Sequence, residues 1–408
     1  MNIVEIAKKI EKSGGTLYKV GGSVRDEILG IKNHDEDYCI TNMSTEKFEK
    51  LFNTAVKRGK NFPVYDIEGK EFAMARKESK IGKGHKEFKI ETGVTIQEDL
   101  KRRDITINSI AIEVLTNKII DPFNGIKDIQ ERKIRKTSEK FSEDPLRVYR
   151  VARFASSLEF EVTKDTIEAM KKCKDELSTI SVERVFEEFR KALNSKRPSI
   201  FFKVLREADI LDIHFKEISD LIGSTQLVEY HPEGDSFEHT MLVVDNCSNL
   251  TDREEVRFSA LVHDLGKGIT PKEMLPHHYG HDLAGAKLVE NMGKRLKIPN
   301  NWIKCGKLSA KEHMRAGIFE KLKASKKVDL ITLASKSILR LEGLAIIVKS
   351  DKLGRGNVNF DKIGNRCLKE IDGEYIIKKY GKQTGIKMGE LLRKERISWM
   401  KKVDEMNR

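Results

Sequence analysis

The sequence predicts an α+β protein, with a mixed sheet and helices over residues 1–138 and a helical remainder. In the first part, strand-like segments at 18–20, 71–76 and 110–115 are separated by turns and a helix start. From about residue 139 onward, apolar residues recur at helical spacing almost without interruption. The composition, with 35% charged residues and 8 prolines, suits amphipathic helices.

Length and charge indicate several domains and a polyanionic partner. A chain of 408 residues corresponds to about two to four domains. The formal net charge of +13 favours a polyanion, and nucleic acid is the plainest candidate. A lysine-rich background composition is the alternative, because Lys and Glu alternate through much of the chain.

Cysteine usage and hydropathy indicate a reducing compartment. The 5 cysteines are scattered without a C-x-x-C pair, which predicts free thiols rather than a disulfide framework or a thiolate zinc site. The N-terminus reads as an amphipathic helix rather than a signal peptide. The sequence lacks the run of about 18 apolar residues that a membrane span needs. We therefore expect a cytoplasmic protein without a membrane partner.

The first part of the chain follows a strand–turn–helix order. After the first strand, Gly21 and Gly22 let the backbone approach a ligand such as a triphosphate, and residues 24–29 begin a helix. Residues 77–89 are rich in Lys, Gly, Glu and His, which predicts a loop over the site. Residues 110–121 predict a β-hairpin.

Two carboxylates provide the first sign of chemistry. Asp35 and Asp37 are one residue apart, so on a strand they point to the same face. Their mutual repulsion is relieved by a cation, and hard oxygen ligands suit Mg²⁺. A simply solvated Asp-x-Asp loop is the alternative. Glu71 joins this site if its strand lies beside theirs, although an exposed glutamate is the commoner case.

The motifs of this part resemble the nucleotidyltransferase superfamily, in the branch that holds tRNA CCA-adding enzymes and bacterial poly(A) polymerases. Gly-Gly-x-x-Arg-Asp at 21–26 precedes the Asp-x-Asp pair, and residues 99–109 resemble the D-x-x-x-R-R-D-F-T-x-N-A motif with Ile and Ser in place of Phe and Ala. The resemblance implies a nucleotidyltransferase-fold head with catalytic, Mg²⁺-binding Asp35 and Asp37. It also implies that Gly22, Arg25 and Arg103 surround the nucleotide.

A stripe of arginines follows the head. Residues 147, 150 and 153 lie at i, i+3 and i+6 of a predicted helix, so they share one side. In one interpretation the arginines lie on a solvent-exposed face of the helix and form ion pairs with the preceding Glu143 and Asp144. The other comes from the E-D-x-x-R motif of class II CCA-adding enzymes, which the segment resembles. That resemblance implies that Asp144 and Arg147 read the bases of CTP and ATP, with Arg150 and Arg153 also near the nucleotide.

Histidines mark a second site. Seven of the 10 histidines lie between residues 231 and 313. Imidazole and carboxylate together suit a transition-metal ion that activates water. The pattern resembles the HD phosphohydrolase superfamily, which implies the metal ligands His239, His263, Asp264 and Asp351. The metal is then a divalent transition ion, with Ni²⁺ one candidate.

Three further histidines, His278, His281 and His313, are candidates for additional ligands or phosphate contacts. Sequence leaves their roles open. Each is also compatible with a plain structural part in a helical core.

The order of the motifs resembles CCA-adding enzymes of the enterobacterial type that carry an HD domain. It implies an all-α neck, body and tail behind the head, with these boundaries: head 1–138, neck 139–200, body 201–340 with the HD domain at about 237–338, and tail 341–408. The implied activities are CCA addition to tRNA from CTP and ATP, and 2′,3′-cyclic phosphodiesterase, 2′-nucleotidase and phosphatase reactions. We expect a monomer or homodimer. The alternatives are a poly(A) polymerase and a non-catalytic tRNA-binding protein.

Overall fold

The computed structural model describes residues 1–32, 36–59, 63–80, 88–229, 231–355 and 357–406, with 78–80 and 88–91 as backbone only. The chain divides into two compact units. The first unit contains Met1–Glu188 and Ile200–Ile210, and the second contains Phe189–Ser199 and Leu211–Arg408. The predicted α+β class, a mixed sheet with helices followed by a mostly helical body, is confirmed. The finer division into head, neck, body and tail stays a prediction.

Strands and helices alternate in the first half of the chain. In chain order, the elements up to residue 210 are α1 (Ile3–Lys12), β1 (Thr16–Val20), α2 (Gly22–Ile28), β2 (Asp37–Thr41), α3 (Thr45–Leu51), β3 (Val56–Arg58), β4 (Val64–Ile67), β5 (Lys70–Met74), β6 (Arg76–Lys80), β7 (Phe88–Thr92), α4 (Ile96–Lys101), β8 (Ala111–Glu113), β9 (Ile119–Ile120), α5 (Gly125–Gln130), β10 (Lys133–Ile134), α6 (Arg147–Leu158), β11 (Glu161–Val162), α7 (Lys164–Lys172), α8 (Val182–Leu193) and α9 (Ser199–Glu207).

From residue 211 onward, the regular elements in the described part of the chain are helices. They are α10 (Leu211–Ser219), α11 (Ser236–Ser248), α12 (Glu254–Leu261), α13 (His281–Arg295), α14 (Asn300–Gly317), α15 (Ala324–Lys336), α16 (Arg340–Asp351), α17 (Phe360–Glu370), α18 (Gly373–Tyr380) and α19 (Gly385–Met406). Short 3₁₀ turns connect several of them, including Leu265–Ile269.

Among the described residues of the first unit, seven strands form one sheet in the order β3-β4-β5-β2-β1-β8-β9. Neighbouring strands are antiparallel except β2 and β5, which run parallel. In that parallel pair Asp37 lies opposite Glu71. Directly opposed residues point to the same face, so the two carboxylates share a side of the sheet. The predicted hairpin at 110–121 is confirmed as β8 and β9.

Apolar clusters cover both faces of this sheet. Successive side chains of β2 point to opposite faces, and this alternation determines the face on which Asp37 lies. Ile40 belongs to the cluster on one face, which α1 covers with Ile6 and Ile10. Cys39 belongs to the cluster on the other face, together with Leu100 of α4. Because Asp37 is two residues before Cys39, it shares the α4 face. The sequence places an arginine pair immediately after α4, on that same side.

Two segments differ from the sequence prediction. Residues 77–89 contain β6 and the start of β7, which pair antiparallel from Arg76–Thr92 to Lys80–Phe88, although a loop was expected. Cross-strand backbone bonds form regardless of side-chain polarity, so a lysine-rich composition does not exclude a hairpin. The connection 81–87 lies outside the described residues. The two-residue strand β11, which pairs parallel with β10, lies in the part of the chain that was predicted to be helical. A strand of this length is too short to show the alternation of apolar and polar residues that predicts a strand.

The second unit packs its helices around continuous apolar clusters. Val243 of α11, Val256 of α12 and Ile347 of α16 belong to one cluster. Leu344 of α16 and Met400 of α19 belong to another. Because α11, α12 and α16 share a core, polar residues at their ends come together at one edge of it.

The five cysteines of the sequence are buried and free, as expected from their spacing. Among the described residues, no helix combines the length and the apolar composition that crossing a membrane requires.

Candidate functional site

A cleft of about 520 Å³ in the first unit collects most of the nucleotide-site residues that the sequence predicts. Among the described residues, seven arginines and three aspartates line it, so its fixed charge is strongly positive. A small apolar part accompanies the charged lining. The cleft is lined by Gly21, Gly22, Arg25, Asp37, Arg76, Arg102, Arg103, Asp104, Asn108, Asp144, Leu146, Arg147, Arg150, Phe154 and Arg184.

Gly21 makes the close approach of charged side chains possible. Its φ is +76°, a conformation that favours glycine. A Cβ at this position would lie 2.9 Å from Nη1 of Arg103 and 3.7 Å from Oδ2 of Asp37. The turn therefore brings an arginine and an aspartate to the same backbone position.

A buried carboxylate holds the arginine pair that follows α4. Asp99 is 1% exposed. Its Oδ1 accepts hydrogen bonds from Nε and Nη2 of Arg102 at 2.9 and 2.8 Å, and its Oδ2 accepts one from Nη2 of Arg103 at 3.3 Å. Burial opposes the charge of Asp99, but Arg103 and Arg102 outweigh it and lower the pKa of this carboxyl. Nε of Arg103 is buried without a hydrogen-bond partner in the described protein, so one guanidinium donor remains to be satisfied.

Arg25 is held by two polar neighbours. Its Nη2 donates to Asp26 at 2.7 Å, and its Nη1 donates to Oδ1 of Asn108 at 2.7 Å. The guanidinium also lies 5.2 Å from the ring centre of Phe154. These contacts fix the cation at the cleft wall, which reduces the entropy lost when an anion binds.

The arginine stripe of α6 has one member outside the cleft. Nε of Arg150 donates to Oδ2 of Asp104 at 2.7 Å, and that carboxyl has a lowered pKa because Arg150 and Arg147 outweigh its burial. Arg153 donates to Glu188 and its guanidinium carbon is 3.8 Å from the ring centre of Phe154. Arg153 is not among the described residues that line the cleft. The predicted stripe therefore divides into two residues that line the cleft and one half-buried residue beside them.

The proposed base-reading pair is held by its surroundings. Arg147 is buried and donates to the backbone carbonyl oxygens of Lys140 and Arg102. Asp144 accepts from the backbone N–H of Leu146 at 3.1 Å and from Nη2 of Arg184 at 3.4 Å. Asp144 and Arg147 both line the cleft, so the structure brings them to one wall.

Of the two predicted catalytic carboxylates, Asp37 lies within the residues that the structure describes. Asp35 lies outside the described residues. Asp37 lines the main cleft and also a smaller one of about 170 Å³, which it shares with Glu71, Asp99 and Arg103. Carboxylates from two adjacent strands thus meet beside the arginine pair, an arrangement that fits a hard divalent cation.

The predicted metal ligands of the second unit come together at the ends of its helices. His239 lies on α11, His263 and Asp264 follow the end of α12 after one intervening residue, and Asp351 ends α16. Nε2 of His239 is 2.9 Å from Oδ1 of Asp351 and 3.9 Å from Oδ2 of Asp264, and Nε2 of His263 is 3.2 Å from the same Oδ2. All four implied ligands therefore face one point.

Hydrogen bonds at the far side of the rings settle which nitrogen faces that point. Nδ1 of His263 is 2.7 Å from the carbonyl oxygen of Ala260, and Nδ1 of His239 contacts the carboxylate of Glu233. Both partners accept, so Nδ1 of each ring donates outward and Nε2 is the nitrogen that faces the carboxylates of Asp264 and Asp351. Nε2 of His263 and Oδ1 of Asp264 are buried without hydrogen-bond partners in the described protein. Inward-facing ring nitrogens beside carboxylate oxygens fit a metal ion, which would take the place of the protons on Nε2.

The electrostatics of this pocket favour positive charge. Burial opposes protonation of His263, but Asp264 and Asp351 outweigh it and raise the pKa of the imidazole to about 10. Burial likewise opposes the charge of Asp264, but His263 and Lys267 hold the pKa of that carboxyl well below its usual range. The pocket therefore attracts a cation, and a divalent ion supplies that charge to several ligands at once.

The three histidines that sequence left open separate into two kinds. His278 has both ring nitrogens engaged, with Thr270 at 2.8 Å and with the carbonyl oxygen of Thr225 at 3.0 Å. His281 and His313 instead direct Nε2 toward Asp264, at 3.5 and 3.2 Å. His278 is thus excluded from the ligand cluster, and the other two belong to it.

Comparison with known proteins identifies the family. Family models match along the chain, described as the poly A polymerase head domain at residues 17–135, the probable RNA and SrmB- binding site of polymerase A at 159–222, and the HD domain at 236–334. A multifunctional CCA protein from Psychromonas ingrahamii is 43% identical over 306 residues, which cover 73% of this chain and 74% of that protein. Another, from Mannheimia succiniciproducens, is 38% identical over 354 residues, which cover 83% of this chain and 84% of that protein. The chain belongs to the multifunctional CCA protein family.

Solved structures agree with the multifunctional CCA assignment at the level of the fold. The Thermotoga maritima CCA-adding enzyme complexed with tRNA has a TM-score of 0.63 at 21% identity, over 97% of this chain and 90% of that chain. A CCA-adding enzyme in complex with CTP has a TM-score of 0.64 at 21% identity, with the same coverage. The family assignment also favours CCA addition over the poly(A) polymerase and non-catalytic alternatives.

In this member of the multifunctional CCA family, three residues that contact the predicted site residues were not predicted from the sequence. Asn108 holds Arg25, Glu188 holds Arg153, and Arg184 pairs with Asp144. Asn108 lies within the motif that follows α4, which was a usable signal. Glu188 and Arg184 lie on α8, far along the chain, and only the packing of α8 reveals them.

Proposed function

We propose that the head adds C, C and A to the 3′ end of tRNA, using CTP and ATP as substrates and releasing pyrophosphate. The observation that carries the proposal is the arginine-lined cleft in which buried carboxylates hold the guanidinium groups beside Asp37. In nucleotidyl transfer, positioning and charge neutralisation of the triphosphate are the main tasks of the protein. A cleft of fixed, pre-oriented cations suits those tasks.

The cleft geometry supports specific phosphate-binding and metal-binding roles for its residues. Arg25 and Arg103 bind the triphosphate near Gly22, and Arg150, which also lines the cleft, adds further positive charge. Asp37, with Asp35 two residues before it in the sequence, holds Mg²⁺, and Glu71 lies in register with Asp37. Bound Mg²⁺ neutralises phosphate oxygens and lowers the pKa of a coordinated hydroxyl.

Base selection is assigned to the wall formed by Asp144 and Arg147. A carboxylate accepts from the exocyclic amino group that cytosine and adenine share, and a guanidinium donates to their ring or carbonyl acceptors. The backbone carbonyl oxygens that hold Arg147 fix the direction of its donors. Arg153 acts indirectly, since it packs against Phe154 rather than lining the cleft.

The second unit is proposed to be a metal-dependent phosphohydrolase that acts on 2′,3′-cyclic phosphates, 2′-nucleotides and phosphomonoesters. His239, His263, Asp264 and Asp351 are the ligands of its divalent transition ion, for which Ni²⁺ is one candidate. Bound divalent ions lower the pKa of water and neutralise phosphate oxygens. Glu233 accepts from Nδ1 of His239 and so orients the ring with Nε2 toward the carboxylate of Asp351.

The head assignment is tested with a tRNA that lacks its CCA end, incubated with Mg²⁺ and CTP, ATP or both. We expect addition of CC from CTP alone and CCA from both. Asp37→Asn should abolish addition without changing the melting temperature, while Asp66→Asn, a control carboxylate on β4, should leave addition unchanged. Runs of A from ATP alone, or normal addition by Asp37→Asn, would contradict the assignment.

The phosphohydrolase assignment needs a separate assay. Metal-stripped protein is supplied with Ni²⁺, Co²⁺, Mn²⁺ or Mg²⁺ and tested for phosphate release from 2′-AMP and ring opening of 2′,3′-cyclic AMP. His263→Ala should lose both reactions but retain CCA addition. Absence of hydrolysis with every ion would overturn this part of the proposal and leave the head assignment unaffected.

A further inference from the structure

Two exposed aromatic rings stack on each other in the connection between α12 and α13. The ring centres of His277 and Tyr279 are 5.7 Å apart, and their planes differ by 13°. Tyr279 is 78% exposed, and His277 is exposed as well. Nearly parallel, offset rings are a favourable aromatic arrangement. The pair therefore presents an aromatic surface to which a further flat ring can be added.

The backbone around Tyr279 is held on both sides. Nε2 of His278 donates to the carbonyl oxygen of Thr225 at 3.0 Å, and its Nδ1 is 2.8 Å from the hydroxyl of Thr270. Nδ1 of His281 donates to the carbonyl oxygen of His278 at 2.6 Å. These contacts tie residues 278–281 to two other segments of the chain. Rings carried by a fixed backbone lose less conformational entropy when a ligand stacks on them.

The aromatic pair lies beside the histidine and aspartate cluster of the second unit. Nε2 of His281 is 3.5 Å from Oδ1 of Asp264, a member of that cluster. Tyr279 is two residues before His281, so their Cα atoms are at most about 8 Å apart. This separation is comparable with the length of one nucleotide. A phosphate ester bound at the cluster can therefore place its base against the aromatic pair.

The same connection exposes more apolar surface than its surroundings explain. Ile269, Met274, Tyr279 and Leu283 are all exposed, and they lie within 15 residues of sequence. Single exposed apolar residues are ordinary, whereas several on one short segment indicate a surface that binds something. An aromatic ring among them suits a nucleobase, because every base has a flat face that can stack regardless of its sequence identity.

We propose that His277 and Tyr279 form a stacking platform for the nucleobase of the substrate hydrolysed in the second unit. The inference rests on the proposed phosphohydrolase function and deepens it, because it makes nucleotides the preferred class among phosphate esters. The platform selects for the presence of a base and not for its identity, since stacking uses no hydrogen bond to a base edge. The base belongs either to a free nucleotide or to the terminal nucleotide of an RNA.

The test compares substrates with and without a base, using the metal-loaded full-length protein. KM and kcat are measured for 2′-AMP, 2′,3′-cyclic AMP and glycerol 2-phosphate, which has no base. Stacking of one base on an exposed ring corresponds to about 5- to 20-fold in affinity. We expect Tyr279→Ala to raise KM for both nucleotides by that factor with kcat nearly unchanged, because stacking binds the ground state and the transition state alike. KM for glycerol 2-phosphate should stay at the wild-type value.

Two variants serve as controls. Tyr279→Phe keeps the ring and should keep the wild-type KM for nucleotides. Ile386→Ala removes an apolar side chain on α19 that is 83% exposed, and it should change no substrate's KM. A short RNA that ends in a 2′,3′-cyclic phosphate is hydrolysed in parallel. A loss by Tyr279→Ala confined to the RNA or to the mononucleotides still supports stacking and identifies the source of the base.

The outcomes separate the platform from the phosphohydrolase proposal. If Tyr279→Ala keeps the wild-type KM for the nucleotides and the RNA, the platform is wrong, while hydrolysis by the wild type still supports the phosphohydrolase. An equal rise of KM for glycerol 2-phosphate would also overturn the platform, because Tyr279 would then act on the phosphate or on the fold of the connection. If the wild type hydrolyses none of the substrates with any ion, both proposals fail.

Discussion

Replacing Asp99 with asparagine tests the idea that buried carboxylates set the arginine geometry of the nucleotide cleft. The change removes a charge that two guanidinium groups share, at 2.8 Å for Arg102 and 3.3 Å for Arg103. Breaking a buried ion pair from one side costs about 3–5 kcal/mol. The arginine side chains are 17% and 20% exposed, so water offsets part of that cost and we expect about 3 kcal/mol.

Two measurements follow from this estimate. A loss of about 3 kcal/mol lowers the melting temperature of a unit of about 200 residues by roughly 6–12 °C. A misdirected Arg103 also loses a charge-assisted hydrogen bond worth about 1.5–3 kcal/mol, which weakens CTP and ATP binding about 10- to 100-fold. Thermal unfolding and equilibrium nucleotide binding of Asp99→Asn measure the two effects separately.

Asp128→Asn is the matched control. Asp128 is also buried and accepts from Thr106 at 2.7 Å and Arg135 at 3.2 Å, but it does not line the cleft among the described residues. It should lose stability without losing nucleotide affinity. The reasoning is refuted if Asp99→Asn binds nucleotides as the wild type does, or if both variants weaken binding equally.

The pH dependence provides an independent check on Asp99. The pKa of Asp99 is lowered in the folded state, since Arg103 and Arg102 outweigh its burial. A lowered carboxyl pKa stabilises the fold above the unfolded value of about 3.9, and that stability disappears as the pH falls through the folded value. The stability difference between wild type and Asp99→Asn should therefore be complete at neutral pH and shrink below about pH 4.

Three further predictions concern single contacts. Arg103→Lys removes the planar guanidinium group, which can donate two hydrogen bonds to a phosphate, and should weaken CTP and ATP binding equally, by about tenfold. An effect on one nucleotide alone would mean that Arg103 contacts the base. A Cβ at Gly266 would lie 1.9 Å from the carbonyl oxygen of His281, so Gly266→Ala should lower the melting temperature, whereas Gly317→Ala, with no heavy atom within 4 Å of its Cβ, should not. An ion that binds only the folded state stabilises it by about 2.7 kcal/mol when the metal concentration is 100 times Kd, so chelation should lower the melting temperature of the second unit. An unchanged melting temperature would contradict binding of an ion to the folded protein.

Short-range patterns predicted most of the head. The strand at 18–20, the hairpin at 110–121 and the helix after Gly21 depend on residues adjacent in sequence, and all three were found. The hairpin of β6 and β7 was missed because its strands are polar, so backbone pairing had no hydrophobic signal. The predicted elements depend on interactions between residues close in sequence, whereas the β6–β7 hairpin depends on backbone pairing that the side chains do not indicate.

The candidate sites were predictable where a motif carried them. Asp144 and Arg147 were named from one short segment, and they share a wall of the cleft. Glu188 and Arg184 were not named, because their partners lie 35 and 40 residues away and depend on how α8 packs. In the second unit, sequence named His281 and His278 alike, and only the direction of the ring nitrogens separated them.

The pairing of Asp104 with Arg150 has a consequence for the time course of synthesis. The two residues are separated by 46 positions, and the carboxylate is buried. At translation rates of about 5–20 residues per second, Arg150 is made roughly 2–9 s after Asp104. During that interval the buried carboxylate of the nascent head lacks its cation, so this part of the nucleotide cleft cannot form until α6 has been made. The pace of the ribosome therefore limits how early the arginine-lined cleft is assembled.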